Sequence, residues 1–258
     1  MKILVFVKQV LDSEAKINIQ DDKKSLDFEE RFSLNFFDEF AIEEAIRVKE
    51  KVKNCEVVAV SLGSRKAQEV LRTSIAMGVD RAVLIETEKY NIWDPYFTAK
   101  VLSGFAEKEG FNLIFCGERA MDDENGVVGV LIAENLKIPY VGSVVKIEVM
   151  DTNKVVVDSE IDGSFFGYEV ELPALFSLRK GINEPRVPAI TGVMKAMRAQ
   201  IAFVDPYSLL SIPLTQKTEI VRFEFPGKRP AVKIIEGQSP EEKVKKLISL
   251  LKQEAKVI

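Results

Sequence analysis

Short apolar runs alternate with longer amphipathic segments over the first half of the chain. The runs are Ile3–Val7, Glu56–Ser61, Arg81–Ile85 and Leu113–Cys116. They are rich in β-branched and other apolar residues, as are strands that are buried on both faces of a parallel sheet. Between them, apolar residues recur at helical spacing, for example over residues 41–46. This alternation predicts an α/β fold built on a doubly wound, mostly parallel sheet.

Residues that begin and end helices flank the amphipathic segments. Asn35 is a predicted N-cap, although its side chain is equally suited to bind a ligand, or to do both. Gly78 follows the second predicted helix, at the position where a left-handed backbone favours glycine. Trp93–Gly110 carries the third predicted helix. Ser239-Pro240-Glu241-Glu242 is a predicted capping box, and it begins a helix near the end of the chain.

The pattern changes after Tyr140, where strand-like segments follow one another closely. They are Val141–Val149, Lys154–Ile161, Tyr168–Leu172 and Ala174–Leu178. They predict antiparallel strands that are added to the sheet edge or cover it. Ile201–Pro213 is a predicted connector, and Val221–Phe225 is a predicted short strand. We therefore predict an α/β domain over residues 1–205 and a C-terminal arm over residues 206–258.

The stretch Gly117–Gly129 is the main candidate for a binding site. It follows a predicted buried strand and precedes a predicted helix, an arrangement with which open α/β sheets bind phosphate at free backbone N–H groups. Three consecutive carboxylates at positions 122–124 would repel a phosphate, so the backbone after Asn125 would have to hold it. The alternative is an ordinary turn whose carboxylates complement the helix dipole. Lys8, at the end of the first strand, is either a ligand-facing residue or an ion-paired one.

Composition narrows the chemistry. The chain has no histidine, which excludes Ser-His-Asp and Cys-His catalysis, and we predict neither a catalytic side chain nor a metal site. The net charge of −4 comes without a basic block, so we expect no nucleic-acid partner. No apolar run approaches the roughly 20 residues of a membrane span. The first ten residues predict a strand and not a signal peptide, and the expected location is cytoplasmic.

Five short motifs carry a resemblance to a known family. They are Val7-Lys8-Gln9-Val10, Asn35-Phe36-Phe37-Asp38, Arg72-Thr73-Ser74-Ile75-Ala76-Met77-Gly78, Glu160-Ile161-Asp162-Gly163 and Asn183-Glu184-Pro185-Arg186. In this order and spacing the chain resembles the beta subunit of electron transfer flavoprotein, over essentially its whole length. The resemblance implies an adenine-nucleotide alpha-hydrolase-like fold. It also implies a heterodimer with an alpha subunit that carries FAD, in which the C-terminal arm contacts the alpha subunit.

The resemblance further implies an adenine nucleotide in this subunit. Ordinary members of the family hold a structural AMP, whereas electron-bifurcating members hold a second FAD, which the context of Asp38 favours here. The implied cofactor-binding residues are Phe6, Asn35, Phe36, Phe37, Asp38, Leu62, Gly63, Gly117, Met121, Asp122, Asp123, Glu124, Asn125, Gly126, Val127, Val128 and Gly129. One departure is that the loop lacks the hydroxyl that bonds a phosphate in many members. A stand-alone ATP-binding enzyme or module on the same fold remains the alternative function.

The segment 181–198 is the second candidate site. Its prolines, glycines and apolar residues predict a long surface loop, and such loops are typical of partner sites. It resembles the family's recognition loop, which implies docking of a flavin dehydrogenase or quinone oxidoreductase through Ile190, Val193 and Met194. Glu160 falls where some members use a carboxylate to orient the alpha flavin domain. The alternative interpretation, which the sequence supports equally, is a solvated Glu at the end of a strand.

Overall fold

A computed structural model describes residues 1–87, 94–151, 153–210, 217–229 and 231–258. Trp93, the predicted first residue of the third helix, lies outside the described residues, as do residues 211–213 of the predicted connector. The described chain divides into two compact units, Met1–Arg222 and Phe223–Ile258. The division at 205/206 and the role of the arm stay predictions.

Over the first half of the chain, buried strands and helices alternate in the order that the hydrophobic pattern predicts. The strands are β1 (Lys2–Phe6), β2 (Gln9–Leu11), β3 (Ile17–Ile19), β4 (Leu26–Phe28), β5 (Phe32–Leu34), β6 (Glu56–Gly63), β7 (Arg81–Glu86), β8 (Leu113–Gly117), β9 (Tyr140–Val149), β10 (Lys154–Ile161), β11 (Ser164–Glu171), β12 (Ala174–Leu178) and β13 (Ala202–Val204). The helices are α1 (Phe36–Lys51), α2 (Gln68–Met77), α3 (Pro95–Glu109), α4 (Val128–Leu136), α5 (Ile190–Arg198) and, in the second unit, α6 (Pro240–Leu250).

The main sheet has the strand order β11-β10-β9-β12-β8-β1-β6-β7-β13 among the described residues. In this spatial order, all neighbouring strands from β9 to β13 pair in parallel. The strand β10 pairs antiparallel with both β9 and β11. The chain moves from β1 to β6 and β7 on one side, and then returns to β8 on the other side of β1. The predicted doubly wound, mostly parallel sheet with added antiparallel strands is confirmed.

Helices cover both faces of the sheet, and side chains alternate between the two cores along β1. Ile3 and Val5 pack with residues of α1 and α2, whereas Leu4 and Phe6 pack with residues of α3 and α4. Because successive side chains of a strand point to opposite faces, one apolar run supplies both layers. Residues 41, 42, 45 and 46 of α1 are all buried, as predicted.

Several local predictions are wrong. Ala174–Leu178 is no antiparallel addition, because β12 lies inside the sheet and pairs parallel with β8 and β9. The predicted connector contains β13, which pairs parallel with β7 at the sheet edge. The described residues 221–225 form no strand, and residues 181–198 are not a loop throughout, since α5 occupies the second half. Prolines 185 and 188 precede this helix and do not interrupt it.

The predicted helix ends agree better with the structure. Gly78 ends α2 with a φ of +134°. The Ser239 side chain accepts a hydrogen bond from the Glu242 N–H at 3.3 Å. The Glu242 carboxylate accepts from the N–H of Gln238, one residue before the position that the capping-box pattern predicts. Asn35 occupies the N-cap position of α1 but makes no capping hydrogen bond, because its side chain is engaged elsewhere.

Candidate nucleotide site

A cavity opens where β1 and β8 end side by side. It encloses about 770 Å³, its open mouth included. Residues Phe6, Val7 and Lys8 line it from the end of β1, and residues 116–120 line it from the end of β8. Since the chain winds away from β1 in opposite directions on these two sides, the cavity lies at the topological switch point of the sheet. Open α/β sheets bind their ligands in this crevice.

Asp38 ties the two strand ends together. Its carboxylate is 4 % exposed; one oxygen accepts from the Lys8 N–H at 2.7 Å, and the other accepts from the Gly117 N–H at 3.0 Å. Burial raises the pKa of Asp38 to about 7, against the opposing effect of hydrogen bonds from Lys8, Asn35 and Gly117. The first turn of α1 therefore fixes the spacing of β1 and β8 at the floor of the cavity.

Asn35 holds the loop that follows β8. It is 1 % exposed; its amide nitrogen donates to the Arg119 carbonyl at 2.9 Å, and its amide oxygen accepts from the Met121 N–H at 3.1 Å. A buried amide that bonds backbone on both sides fixes a loop much as a strand neighbour would. Of the predicted roles of Asn35, capping by its side chain is wrong, while contact with a ligand stays a prediction.

Lys8 neutralises part of the acidic loop. Its ammonium lies 2.7 Å from an Asp122 oxygen and 3.2 Å from an Asp123 oxygen. Of the two predicted roles for Lys8, ion pairing is therefore observed. Asp123 also accepts from the Asn125 N–H at 3.1 Å. The carboxylates at 122 and 123 are thus occupied by the chain itself, so they repel an anion less than the bare sequence suggests.

The start of α4 supplies backbone donors to the cavity. The first bond of this helix runs from the Leu131 N–H to the Val127 carbonyl, so the N–H groups of residues 128–130 have no carbonyl within the helix. Val127, Val128 and Gly129 line the cavity. Gly126, just before them, has a φ of +64°, a conformation that L side chains rarely adopt. The loop and helix therefore present amides where an anion would enter.

The structure brings most of the predicted cofactor-binding residues together. Those that line the cavity are Phe6, Asn35, Asp38, Gly117, Asp123, Asn125, Gly126, Val127, Val128 and Gly129. Those that lie outside its lining are Phe36, Phe37, Leu62, Gly63, Met121, Asp122 and Glu124. The Phe37 ring instead lies 4.9 Å from the Arg119 guanidinium carbon, and Leu62 packs in the core between the sheet and α3.

Sequence reasoning missed the third wall of the cavity. Pro95, Thr98 and Leu102 of α3 line it. A signal was present, because α3 follows a parallel strand and so begins at the same edge of the sheet as α1 and α4. Pro95 at its first position marks that start.

The other predicted site residues lie elsewhere on the same unit. Glu160, in β10, has a carboxylate oxygen 3.6 Å from a guanidinium nitrogen of Arg179. Ile190, Val193 and Met194 lie on the exposed side of α5, and Ile190 is 81 % exposed. Their predicted roles in orienting the alpha subunit and in docking a partner are not tested by this geometry.

No helix within the described ranges is long and apolar enough to cross a membrane. Across the same ranges, no group of three or more histidine, cysteine and carboxylate side chains is placed to hold a metal ion.

The fold and the cavity define a class of protein: an open α/β protein with a pocket at the switch point of its parallel sheet, the place where such sheets bind nucleotides. A family model described as "Electron transfer flavoprotein domain" matches residues 26–208. The chain is 36% identical over 261 residues to the electron transfer flavoprotein subunit beta of Bacillus subtilis (strain 168), with 100% of both chains covered.

Two further relatives carry the same description. The mitochondrial electron transfer flavoprotein subunit beta of Arabidopsis thaliana is 35% identical over 260 residues, with 100% of each chain covered. The subunit beta of Homo sapiens is 35% identical over 234 residues, covering 90% of this chain and 91% of its own. This chain therefore belongs to the family of electron transfer flavoprotein beta subunits.

Proposed function

We propose that this chain pairs with an FAD-carrying alpha subunit and holds an adenine nucleotide in the cavity between β1 and β8. The heterodimer passes electrons from a flavin dehydrogenase to an acceptor. Membership of the beta-subunit family supports the role in electron transfer. The observation that carries the nucleotide is the cavity at the switch point, with the amides of α4 at its edge.

The residues present fit such a nucleotide. Phe6, Leu102 and Ile132 supply apolar walls for a planar base. The amides of residues 128 and 129 would bond phosphate oxygens in place of the missing hydroxyl. Lys8 keeps two loop carboxylates paired, and Asn35 and Asp38 hold the loop and strand ends in place without being needed as direct ligands.

FAD and AMP share the adenylate that this cavity suits. FAD would supply hydride acceptance and one-electron transfer, while AMP would only stabilise the fold. In either case the chain's own groups bind and position. The Asp38 carboxylate is held by two backbone N–H groups that join the strand ends. Burial raises the pKa of the Cys116 thiol, so this cysteine is not set up as a nucleophile at neutral pH.

Docking of the dehydrogenase is assigned to residues 181–198. The exposed apolar side chains of α5 favour this assignment, because a few apolar anchors suit a transient contact between redox proteins. Glu160 is proposed to orient the alpha flavin domain, and its carboxylate lies 3.6 Å from a guanidinium nitrogen of Arg179. The cytoplasm stays the expected location, while one relative is described as mitochondrial.

The test is a count of nucleotides in the heterodimer purified with its alpha subunit. Flavin is measured by absorbance, and AMP is measured by mass spectrometry after denaturation. Two flavins per heterodimer place FAD in this subunit, whereas one flavin and one AMP give the ordinary carrier. A heterodimer with neither nucleotide in this subunit refutes the proposal, and ATP turnover by the purified chain would support the stand-alone enzyme instead.

A further inference from the structure

The helix α5 has two contrasting faces. Its outward side carries four large apolar side chains beside the charged Lys195 and Arg198. Ile190 and Met197 are 81 % and 74 % exposed, and Val193 and Met194 are also exposed. Its inward face packs on α2, where Ala196 is only 3 % exposed. A nine-residue helix is too short to be stable alone in water. Contacts with the rest of the chain must therefore hold it in helical form.

One of these contacts is at Gly192. A Cβ at this position would lie 2.3 Å from the backbone carbonyl oxygen of Ala76. The two helices therefore approach each other to backbone distance at this point, and Gly192 permits it. This contact fixes the position of α5 along α2.

Arg72 holds the carboxyl end of α5. From α2, one of its guanidinium nitrogens donates to the carbonyls of Ala196 at 2.5 Å, Met197 at 3.4 Å and Ala199 at 3.4 Å. The last carbonyls of a helix have no partner within it, and a cation there also complements the helix dipole. One side chain of α2 thus caps the carboxyl end of α5, together with the Ala199 N–H, which donates to the Ala196 carbonyl at 3.3 Å.

The segment before α5 is held by α1. Arg186 makes two parallel hydrogen bonds to the Glu43 carboxylate at 2.8 and 3.1 Å, and a third to Glu50 at 2.8 Å. Burial raises the pKa of the Glu43 carboxyl, but hydrogen bonds from Arg186 and Arg47 outweigh it and leave the pKa below its usual range. Asn183 adds a bond to the Phe40 carbonyl at 3.0 Å. Both ends of the docking segment are therefore fixed.

We propose that Arg72 is a positioning residue for partner docking: it keeps α5 in the helical form that presents Ile190 and its neighbours to the flavin dehydrogenase. This inference rests on the proposed docking role of residues 181–198. Ordering a segment during association costs affinity, and the apparent affinity is proportional to the fraction of molecules in which the segment is already ordered. Loss of the cap therefore weakens docking and leaves electron transfer within the complex unchanged.

The experiment uses the purified heterodimer with its nucleotides and a flavin dehydrogenase that reduces it. The KM for the heterodimer and kcat are measured for wild type, Ile190→Ala, Arg72→Met and Arg72→Lys. The control is Arg81→Met, which removes an ion-paired arginine at the amino end of β7. Hydrogen exchange of the peptide over residues 190–199 reports the order of α5 directly.

We expect Arg72→Met to raise KM about three- to tenfold, with kcat unchanged and faster exchange over residues 190–199. Arg72→Lys should fall between this variant and wild type, and Arg81→Met should match wild type in all three readouts. If Ile190→Ala raises KM but Arg72→Met does not, or if Arg72→Met lowers kcat alone, the inference is wrong. If Ile190→Ala itself leaves KM unchanged, the docking role fails, and the positioning role fails with it.

Discussion

Replacement of Gly117 by alanine tests the link between α1 and the two strand ends. A Cβ at this position would lie 2.5 Å from an Asp38 carboxylate oxygen and 2.7 Å from the Phe37 Cβ. Contacts between non-bonded heavy atoms are normally about 3.5–4.0 Å, so the first turn of α1 must move. Overpacking of this kind costs about 1–3 kcal/mol, and a weakened hydrogen bond to a carboxylate costs about 1.5–3 kcal/mol.

Because one displacement causes both losses, we expect Gly117→Ala to lower the free energy of unfolding by about 2–4 kcal/mol. Urea denaturation of the heterodimer measures this loss, and the nucleotide retained per heterodimer measures damage to the cavity. The matched control is Gly227→Ala, where a Cβ would meet nothing within 4 Å. If Gly117→Ala behaves like this control in both measurements, the strand-end bridge does not shape the site.

Three further outcomes are expected. The pKa of Asp38 is raised from 3.8 to about 7, so the native state holds its proton more tightly than the unfolded chain. The contribution of Asp38 to the free energy of unfolding is complete below pH 4 and is lost as pH rises through 7, by about 2–3 kcal/mol between pH 5 and 8. In Asp38→Asn, the free energy of unfolding from denaturation curves should no longer show this dependence on pH. Gly192→Ala should displace α5 from Ala76 and raise the KM for the heterodimer without lowering nucleotide content. Leu247→Asp, on the exposed stripe of α6, should weaken binding of the alpha subunit in calorimetry, whereas Lys245→Asp should not.

The hydrophobic pattern was sufficient for the parallel core and insufficient for the pairing of later strands. The strands β6, β7 and β8 are each a buried apolar run followed by a helix, so the order of these elements can be predicted from local sequence. The apolar sequence of β12 is compatible with parallel and with antiparallel neighbours. Its partner β8 is distant in the chain, so the local sequence does not specify how β12 pairs. The helix α5 was not predicted, because two prolines precede it and a glycine lies within it, and these residues favour a loop. Its helical form depends on packing against α2, which the local sequence does not show.

The position of the candidate site could also be predicted, because it depends on a local pattern of elements. A strand, a glycine-containing loop and a helix start mark Gly117–Gly129, whatever the rest of the chain does. The bonds that hold this loop join residues that are far apart in sequence: Asn35 to Arg119, and Lys8 to Asp122. Such pairings depend on the strand order, which no local pattern specifies.

The acidic loop illustrates how the strand order changes the meaning of a sequence. Taken alone, three adjacent carboxylates exclude a phosphate. In the fold, β1 lies beside β8, and this places the Lys8 ammonium within 3.2 Å of two of these carboxylates. Because the two strands are adjacent, the Asp38 carboxylate also accepts hydrogen bonds from the N–H groups of Lys8 and Gly117, at the ends of β1 and β8. The carboxylates of Asp122 and Asp123 thereby hold the loop, and the first N–H groups of α4 have no carbonyl partner within the helix. The proposed phosphate site is therefore compatible with a loop that contains neither a hydroxyl nor a lysine.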